Sequence, residues 1–181
     1  MIEIRWHGRG GQGGFTASKL LGASAALYGD RHALAFPSFG PERRGAPVLA
    51  FTKIDCKKIY DRSEVSRCDY IVLLDETLFN ESFLTDLKTD GRIIINTADT
   101  EAYSKYDSRK IITVDATFAA LEILGKPITN TAMLGALIAV SGIVGLDAVL
   151  KGMEGFLKGP LLNKNIEVVK KIFLQSREAA I

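Results

Sequence analysis

Cysteine and histidine are scarce in this sequence. Among 181 residues there are two cysteines, Cys56 and Cys68, and two histidines, His7 and His32. An iron–sulfur cluster takes about four cysteine ligands, and a structural zinc ion takes about four cysteine or histidine ligands. The chain therefore offers neither centre, and no metal site is expected. We expect both cysteines to be reduced, inert thiols.

The sequence also lacks a strong charge of one sign and a long unbroken apolar run. Its net charge of +2 does not by itself indicate a nucleic-acid or membrane partner, and neither is expected. The most apolar region, 132–149, is interrupted by serine, glycine and aspartate. Helices packed in a core are therefore expected there, not a membrane span. No secretory-signal pattern is present at the start, so we expect a cytoplasmic protein.

A recognisable catalytic set is the third absence. Neither histidine has an evident serine or cysteine partner, and no paired carboxylates stand out. Glu42 has the chemistry of a base, but nothing indicates its substrate. We expect His7 to form a hydrogen bond at a strand end, and we predict no catalytic residue.

Apolar runs and breakers predict an α/β fold. Short runs of β-formers predict strands at 2–6, 33–36, 47–52, 70–74, 93–95 and 111–114. Helical spacing predicts helices at 15–28, 80–87, 117–124, 130–140, 146–157 and 164–176. Strands that alternate with helices form a mostly parallel sheet covered on both faces. The prediction is a single three-layer α/β/α domain, residues 1–181, with a helical C-terminal region.

A glycine-rich loop, Gly8–Gly14, lies between the first predicted strand and the first predicted helix. Glycine admits positive φ and allows a ligand to approach the backbone closely. The N-terminus of the next helix presents free N–H groups and a positive dipole end. The loop therefore predicts a site for phosphate or pyrophosphate. Arg9 favours this interpretation over the alternative, a loop that serves only as a tight turn.

A dinucleotide is the less favoured ligand of this loop. Gly8, Gly10 and Gly13 match the dinucleotide pattern, but such a site needs an acidic residue at the end of the second strand to hold the ribose. Here that strand ends at Phe36, Pro37 and Ser38. A free-standing Rossmann-like nucleotide-binding enzyme therefore stays only an alternative.

A second loop, 37–47, is restricted by prolines and glycines and displays Glu42, Arg43 and Arg44. Arginine is the preferred side chain for bidentate contact with phosphate or carboxylate. We interpret this loop as a rigid platform at a ligand or subunit interface. A solvated charge cluster is the alternative.

Polar residues follow three further predicted strands: Asp75 and Glu76, Asn96 and Thr97, and Asp115. Each one is expected to cap a helix rather than to contact a ligand. Together they mark the carboxyl edge of the sheet, where ligands of parallel sheets gather.

Three motifs together resemble the gamma subunit of the 2-oxoacid:ferredoxin oxidoreductases. They are RWHGRGGQG at 5–13, PSFGPERRGAPV at 37–48 and NTAMLGA at 130–136. They stand in the family's order, the resemblance covers essentially the whole chain, and the pyruvate and 2-oxoisovalerate branches are the most similar. Gly14 and Phe15 depart from the pattern, since many members have a small residue and a β-branched one there.

The resemblance implies a subunit that is not active alone and that assembles with alpha, beta and delta subunits or their fused equivalents. Such a complex oxidatively decarboxylates a 2-oxoacid, here expected to be pyruvate, to acetyl-CoA and carbon dioxide, and reduces ferredoxin or flavodoxin. Thiamine diphosphate and the iron–sulfur clusters are held mainly by partner subunits, and coenzyme A is a co-substrate. No cofactor is therefore expected to bind firmly to this chain alone. A purely structural subunit stays an alternative.

The resemblance places the glycine loop and the arginine loop on matching loops of the family, whose gamma domain is implicated in the coenzyme A half-reaction. We therefore expect these loops to meet the phosphates of coenzyme A or to hold the site that receives them. The candidate binding residues are Gly8, Arg9, Gly10, Gly11, Gln12, Gly13, Ser38, Glu42, Arg43, Arg44 and Asn130.

Overall fold

The computed structural model describes residues 1–38 and 45–179. In this part of the chain six strands form one sheet in the order β2-β3-β1-β4-β5-β6. The strands are β1 (Ile2–Arg9), β2 (His32–Pro37), β3 (Pro47–Asp55), β4 (Cys68–Leu73), β5 (Leu87–Asn96) and β6 (Ile111–Val114). The helices are α1 (Gly14–Tyr28), α2 (Phe83–Asp86), α3 (Ala116–Leu124), α4 (Asn130–Ser141), α5 (Leu146–Met153) and α6 (Gly159–Ala179).

Most strands of the sheet share one direction. β1, β4, β5 and β6 pair in parallel, whereas β3 pairs antiparallel with both β1 and β2. The connection from β2 to β3 is shorter than the roughly twelve residues that a parallel crossover requires, so β3 returns beside β2 in the opposite direction. The predicted α/β fold with a mostly parallel sheet is confirmed.

The main core lies between the sheet and the longer helices. Ile4, Trp6, Val72 and Ile94 project from the central strands into this core and are fully buried. α1, α3, α4, α5 and α6 cover them, and every residue of α4 from Asn130 to Ile138 is buried. The long apolar region of the sequence is thus explained by helices inside the core. No helix in the two described ranges is both long and apolar enough to cross a membrane.

The opposite face of the sheet has a thinner cover. Its buried side chains pack against Phe79, Phe83, Tyr103 and Tyr106, which lie on α2 and on short turns. The helix predicted at 80–87 is only the four-residue α2, because the chain enters β5 at Leu87. The second helical layer is therefore short, and aromatic side chains supply much of its apolar contact.

α6 is longer than predicted at its start, and it packs unusually close to α4. It begins at Gly159 and accepts Pro160 in its first turn, where a proline costs no hydrogen bond. Along α4, a Cβ at Gly135 would lie 2.8 Å from the carbonyl oxygen of Val169 and 3.3 Å from its Cα. Both atoms belong to the backbone of α6, so the helices approach more closely than a side chain permits.

We expect Gly135→Ala to push α6 away from α4 and to lower the free energy of unfolding by about 1–3 kcal/mol. The better helix propensity of alanine offsets at most about 1 kcal/mol of this loss. Gly155→Ala is the control, because its Cβ would meet its nearest atom at 3.4 Å, an ordinary contact. Urea unfolding of both variants measures the effect. Equal stabilities would show that the two helices separate without cost.

Candidate coenzyme site

The glycine turn is shorter than the predicted loop, because β1 extends through Arg9. His7, Gly8 and Arg9 are paired across the sheet with residues of β3. A Cβ at Gly8 would lie 3.0 Å from the side chain of Leu74, so this glycine permits close packing within a strand. The turn proper therefore runs from Gly10 to Gly13.

Two glycines of the turn adopt left-handed backbone conformations. Gly11 has a φ of 97° and Gly13 a φ of 79°, values that other residues rarely adopt. The N–H of Gln12 donates to the carbonyl of Arg9 at 2.9 Å and closes the turn. α1 then begins at Gly14, and no side chain caps its N-terminus. Its first N–H groups are therefore available to an anion.

Asp75, which follows β4, braces this turn. Its Oδ2 accepts from Arg9 Nε at 2.8 Å and from Gln12 Nε2 at 3.3 Å. The backbone N–H of Arg9 donates to Gln12 Oε1 at 2.6 Å. Arg9 also donates to the carbonyl of Gly45 at 3.2 Å and to the hydroxyl of Thr77 at 2.8 Å. In the described structure the guanidinium of Arg9 therefore orders the turn, and its contact with a ligand stays a prediction.

Asp75 is held in its charged form by these contacts. Partial burial acts to raise the pKa of Asp75, but hydrogen bonds from Thr77, Arg9 and Gln12 outweigh burial and place the pKa below its ordinary value. A carboxylate is the stronger acceptor for a guanidinium. The brace is thus intact throughout the neutral range.

Asn130 brings the start of α4 to the same place. Its Nδ2 lies 3.5 Å from the carbonyl oxygen of Gly13, and a Cβ at Gly13 would lie 2.5 Å from that nitrogen. The side chain is buried, and its Oδ1 accepts from the N–H of Thr131 at 2.9 Å. The first and third sequence motifs therefore meet at the contact between Gly13 and Asn130.

The two described ends of the second loop lie at the same sheet edge. We call these ends its feet: Ser38 is one foot, and Gly45 with Ala46 is the other. Gly10 donates its N–H to Ala46 at 2.8 Å, and Gly45 donates its N–H to Gly10 at 3.2 Å. Ser38 at the other foot donates its hydroxyl to Glu64 at 2.6 Å. The predicted residues Glu42, Arg43 and Arg44 lie outside the described residues. One end of the arginine loop is thus hydrogen-bonded directly to the glycine turn.

A cleft that we call the acidic cleft adjoins the glycine turn at the ends of β4, β5 and β6. Asp115 caps α3 by accepting from the N–H of Phe118 at 2.8 Å, and Asp75 accepts from the N–H of Thr77 at 3.0 Å. The expected capping role is confirmed for these two. The cleft is lined by Gln12, Asp75, Glu76, Asn96, Thr97, Asp115, Phe118 and Leu121, among others.

The acidic cleft is a poor place for a phosphate. Glu76 and Asp115 are exposed carboxylates there, and the hydroxyl of Thr97 donates to Glu76. Asn96 is used within the protein, since its Nδ2 donates to the carbonyl of Leu74 at 3.0 Å. Sequence reasoning placed these residues at one edge but missed the bracing role of Asp75. No local motif reveals that role, because Asp75 and Arg9 lie 66 positions apart.

His7 and Cys68 are buried residues with structural contacts. His7 Nε2 accepts from Arg5 Nε at 3.0 Å, and Arg5 Nη2 donates to Asp86 at 2.5 Å. Burial first, and then the charge of Arg5, lower the pKa of His7 to about 3. Both cysteines are free thiols, and burial raises the pKa of the Cys68 thiol to about 11. Neither His7 nor Cys68 is therefore poised for catalysis at neutral pH.

The geometry defines a class of α/β protein that has a glycine turn at the start of a helix. The turn is braced by hydrogen bonds at the carboxyl edge of the sheet. The sequence matches the model of the pyruvate ferredoxin/flavodoxin oxidoreductase family over residues 3–174. This match spans nearly the whole described chain. The chain belongs to this family, and the family predicted from the three motifs is confirmed.

Individual relatives agree with this assignment. Pyruvate synthase subunit PorC of Methanocaldococcus jannaschii is 47% identical over 171 residues, 94% of each chain. The pyruvate/ketoisovalerate oxidoreductases common subunit gamma of Thermococcus kodakarensis is 46% identical over 178 residues, 96% of each chain. The crystal structure of pyruvate oxidoreductase subunit PORC from Thermotoga maritima superposes with a TM-score of 0.79 at 38% identity. That superposition covers 98% of this chain and 95% of the other.

The buried His7 predicts a specific pH dependence of stability. The unfolded chain takes up a proton on this histidine below about pH 6.5, whereas the folded chain does so only near its pKa of about 3. The free energy of unfolding should therefore fall as pH is lowered through this window, by up to about 1.4 kcal/mol per pH unit from this group. His7→Gln, which keeps an acceptor for Arg5, should flatten that slope in urea unfolding between these pH values. The exposed His32→Gln is the control, and equal slopes in wild type and His7→Gln would contradict the assignment.

The contact between Gly13 and Asn130 predicts that substitutions at these two positions, in the first and third motifs, have non-additive effects on the free energy of unfolding. Alanine at Gly11 or Gly13 must adopt a left-handed conformation, which costs about 1–2 kcal/mol. Only Gly13→Ala also collides with Asn130, so its loss should exceed that of Gly11→Ala by about 1–3 kcal/mol. Adding Asn130→Ala should recover part of the loss in Gly13→Ala and none in Gly11→Ala. Strict additivity in a chemical-unfolding double-mutant cycle would disprove the contact.

Proposed function

We propose that this chain is the gamma subunit of a pyruvate:ferredoxin or pyruvate:flavodoxin oxidoreductase and is not active alone. The complex would convert pyruvate and coenzyme A to acetyl-CoA and carbon dioxide, and would pass the two electrons released to ferredoxin or flavodoxin. Support comes from the match of nearly the whole chain to the family and to gamma-type relatives. We take residues 1–181 to act as one gamma-type domain in the cytoplasm.

The chemistry of decarboxylation and electron transfer belongs, in this proposal, to partner subunits of alpha, beta and delta type or their fused equivalents. Thiamine diphosphate would activate the 2-oxoacid there, and iron–sulfur clusters would carry the electrons. Two features of this chain support that division. It has only two cysteines, and its histidine at the site edge is held neutral in a structural hydrogen bond.

The contribution of this chain would be to receive the phosphates of coenzyme A. The observation that carries this proposal is the pair of backbone hydrogen bonds between Gly10 and the foot of the arginine loop, at 2.8 and 3.2 Å. They anchor one end of a loop that contains Arg43 and Arg44 beside the uncapped N-terminus of α1. Arginine side chains and free helix N–H groups are complementary to phosphate.

A free-standing dinucleotide enzyme is further disfavoured by the order of the strands. In a dinucleotide-binding sheet the second strand lies beside the first, so its terminal acid reaches the ribose. Here β3 lies between β1 and β2 and runs in the opposite direction. The tip of β2 is therefore one strand farther from the glycine turn than such a site requires.

Changing Arg43 and Arg44 together to alanine should raise the Michaelis constant of the assembled complex for coenzyme A by about tenfold or more. This estimate follows because each lost charged hydrogen bond is worth about 1.5–3 kcal/mol. The matched control is Arg31→Ala with Arg109→Ala, which removes two arginines from the opposite sheet edge. Steady-state kinetics with each substrate varied in turn gives the readout, and the Michaelis constant for pyruvate should not change.

Gel filtration of the variant complex tests the competing, purely structural role. The proposal requires the complex to stay assembled while its affinity for coenzyme A falls. If the Arg43/Arg44 variant instead leaves the complex and the control does not, these arginines are interface residues. Calorimetric detection of tight NAD binding to the isolated chain would also overturn the proposal.

A further inference from the structure

We propose that the acidic cleft is a docking surface for a partner subunit, and that it binds a segment carrying lysine or arginine beside an apolar side chain. This proposal rests on the proposed function, since it takes the chain to work inside a complex. It concerns the cleft at the ends of β4, β5 and β6, whereas the described ends of the arginine loop lie at the end of β2 and the start of β3.

Unbalanced negative charge is the first observation. Asp75 is neutralised by Arg9 at 2.8 Å, but Glu76 and Asp115 form no ion pair within residues 1–38 and 45–179. The nearby ammonium of Lys171 is paired with Glu122. Two exposed carboxylates at the mouth of a cleft attract a cation and disfavour an anion.

Exposed apolar surface beside this charge is the second observation. Phe118 is 62% exposed and Leu121 is 47% exposed, and both line the cleft. They are three positions apart on α3, so they lie on one face of the helix. The other face of α3 is buried through Ala116, Ala119 and Ala120. A large aromatic side chain left exposed beside a cleft is typical of an anchor point in a protein interface.

The exposed carboxylates and the exposed apolar side chains together determine what kind of ligand fits the acidic cleft. A small cation would neutralise Glu76 and Asp115 but would leave the ring of Phe118 in water. A polypeptide segment with a basic residue next to an apolar one satisfies both, because the aliphatic stem of lysine or arginine also packs on apolar surface. The cleft is continuous with the glycine turn through Gln12 and Asp75. A partner bound here would therefore stand directly beside the proposed coenzyme site.

Isosteric substitutions remove the charges of Glu76 and Asp115 without removing the hydrogen bonds that their side chains accept. Glu76→Gln keeps an oxygen that accepts from Thr97, and Asp115→Asn keeps a cap for α3, since asparagine is a strong N-cap residue. The double variant thus removes two charges while it preserves both hydrogen bonds. Phe118→Ala removes the exposed ring without changing the number of charges, from a side chain that contributes little to the core; the ammonium of Lys171, which lies 5.8 Å from the centre of that ring, keeps its ion pair with Glu122.

The test measures binding of fluorescently labelled chain to the remaining subunits of the oxidoreductase complex, purified without it, over a range of salt concentrations. Glu76→Gln/Asp115→Asn should weaken binding tenfold or more at low salt and should flatten the salt dependence. Phe118→Ala should weaken binding about tenfold with the salt dependence unchanged. The control is Leu27→Ala with Asp90→Asn, which makes the same kinds of change at the opposite sheet edge and should bind like wild type.

Several outcomes would overturn the proposal. One is binding within twofold of wild type by both cleft variants, with circular dichroism showing that they are folded. A second is an equal loss in the control variant. A third is dimerisation of the isolated chain that the charge variant abolishes while partner binding persists, since the occupant would then be a second copy. Failure of the wild-type chain to bind these subunits at all would instead contradict the proposed function.

Discussion

Asp75 binds Arg9, which precedes the glycine turn, and Gln12, which lies within it. The remaining features of the site depend on this contact. It ties the end of β1 to the end of β4, and Arg9 extends it to Gly45 at the foot of the arginine loop. A turn built from glycine has little conformational preference of its own. The brace therefore supplies the order that the backbone of the turn lacks.

The reversed strand β3 gives the sheet edge its organisation. By lying between β1 and β2 it removes the neighbour that a dinucleotide site needs, and it places the start of β3 opposite Arg9. The sheet edge is consequently divided into two parts. One part holds the glycine turn and the described ends of the arginine loop, and the other is the acidic cleft. The uncapped N-terminus of α1 and the exposed carboxylates of Glu76 and Asp115 thus lie at one edge of the sheet.

Much of the fold was readable from the sequence because local patterns determine it. The buried strands appear as apolar runs at Ile71–Leu73 and Ile93–Ile95, and the buried helix α4 appears as an apolar segment after Asn130. The extension of β1 to Arg9 was missed, since Gly8 reads as a loop residue until β3 and Leu74 are in place beside it.

The candidate site was predictable in its parts but not in its connections. Glycines, arginines and Asn130 are visible as residue types with known chemistry, and the resemblance groups them. The contacts of Asp75 with Arg9 and of Asn130 with Gly13 join residues distant in sequence. Such pairs are set by tertiary packing, which no local spacing encodes. The exposure of Phe118 is equally invisible, because α3 carries apolar residues on its exposed face as well as on its buried face.

The central position of β1 has a consequence for biosynthesis. This strand leaves the ribosome before both of its neighbours, yet it pairs with β3 on one side and with β4 on the other. Until residues near 55 have been made, both edges of the strand that carries Ile4 and Trp6 lack their β-sheet partners, and one edge lacks its partner until residues near 73 have been made. Nascent chains with such strands are prone to mispairing and aggregation. The newly made chain therefore passes through a stage in which the strand that later supports the site is open to mispairing.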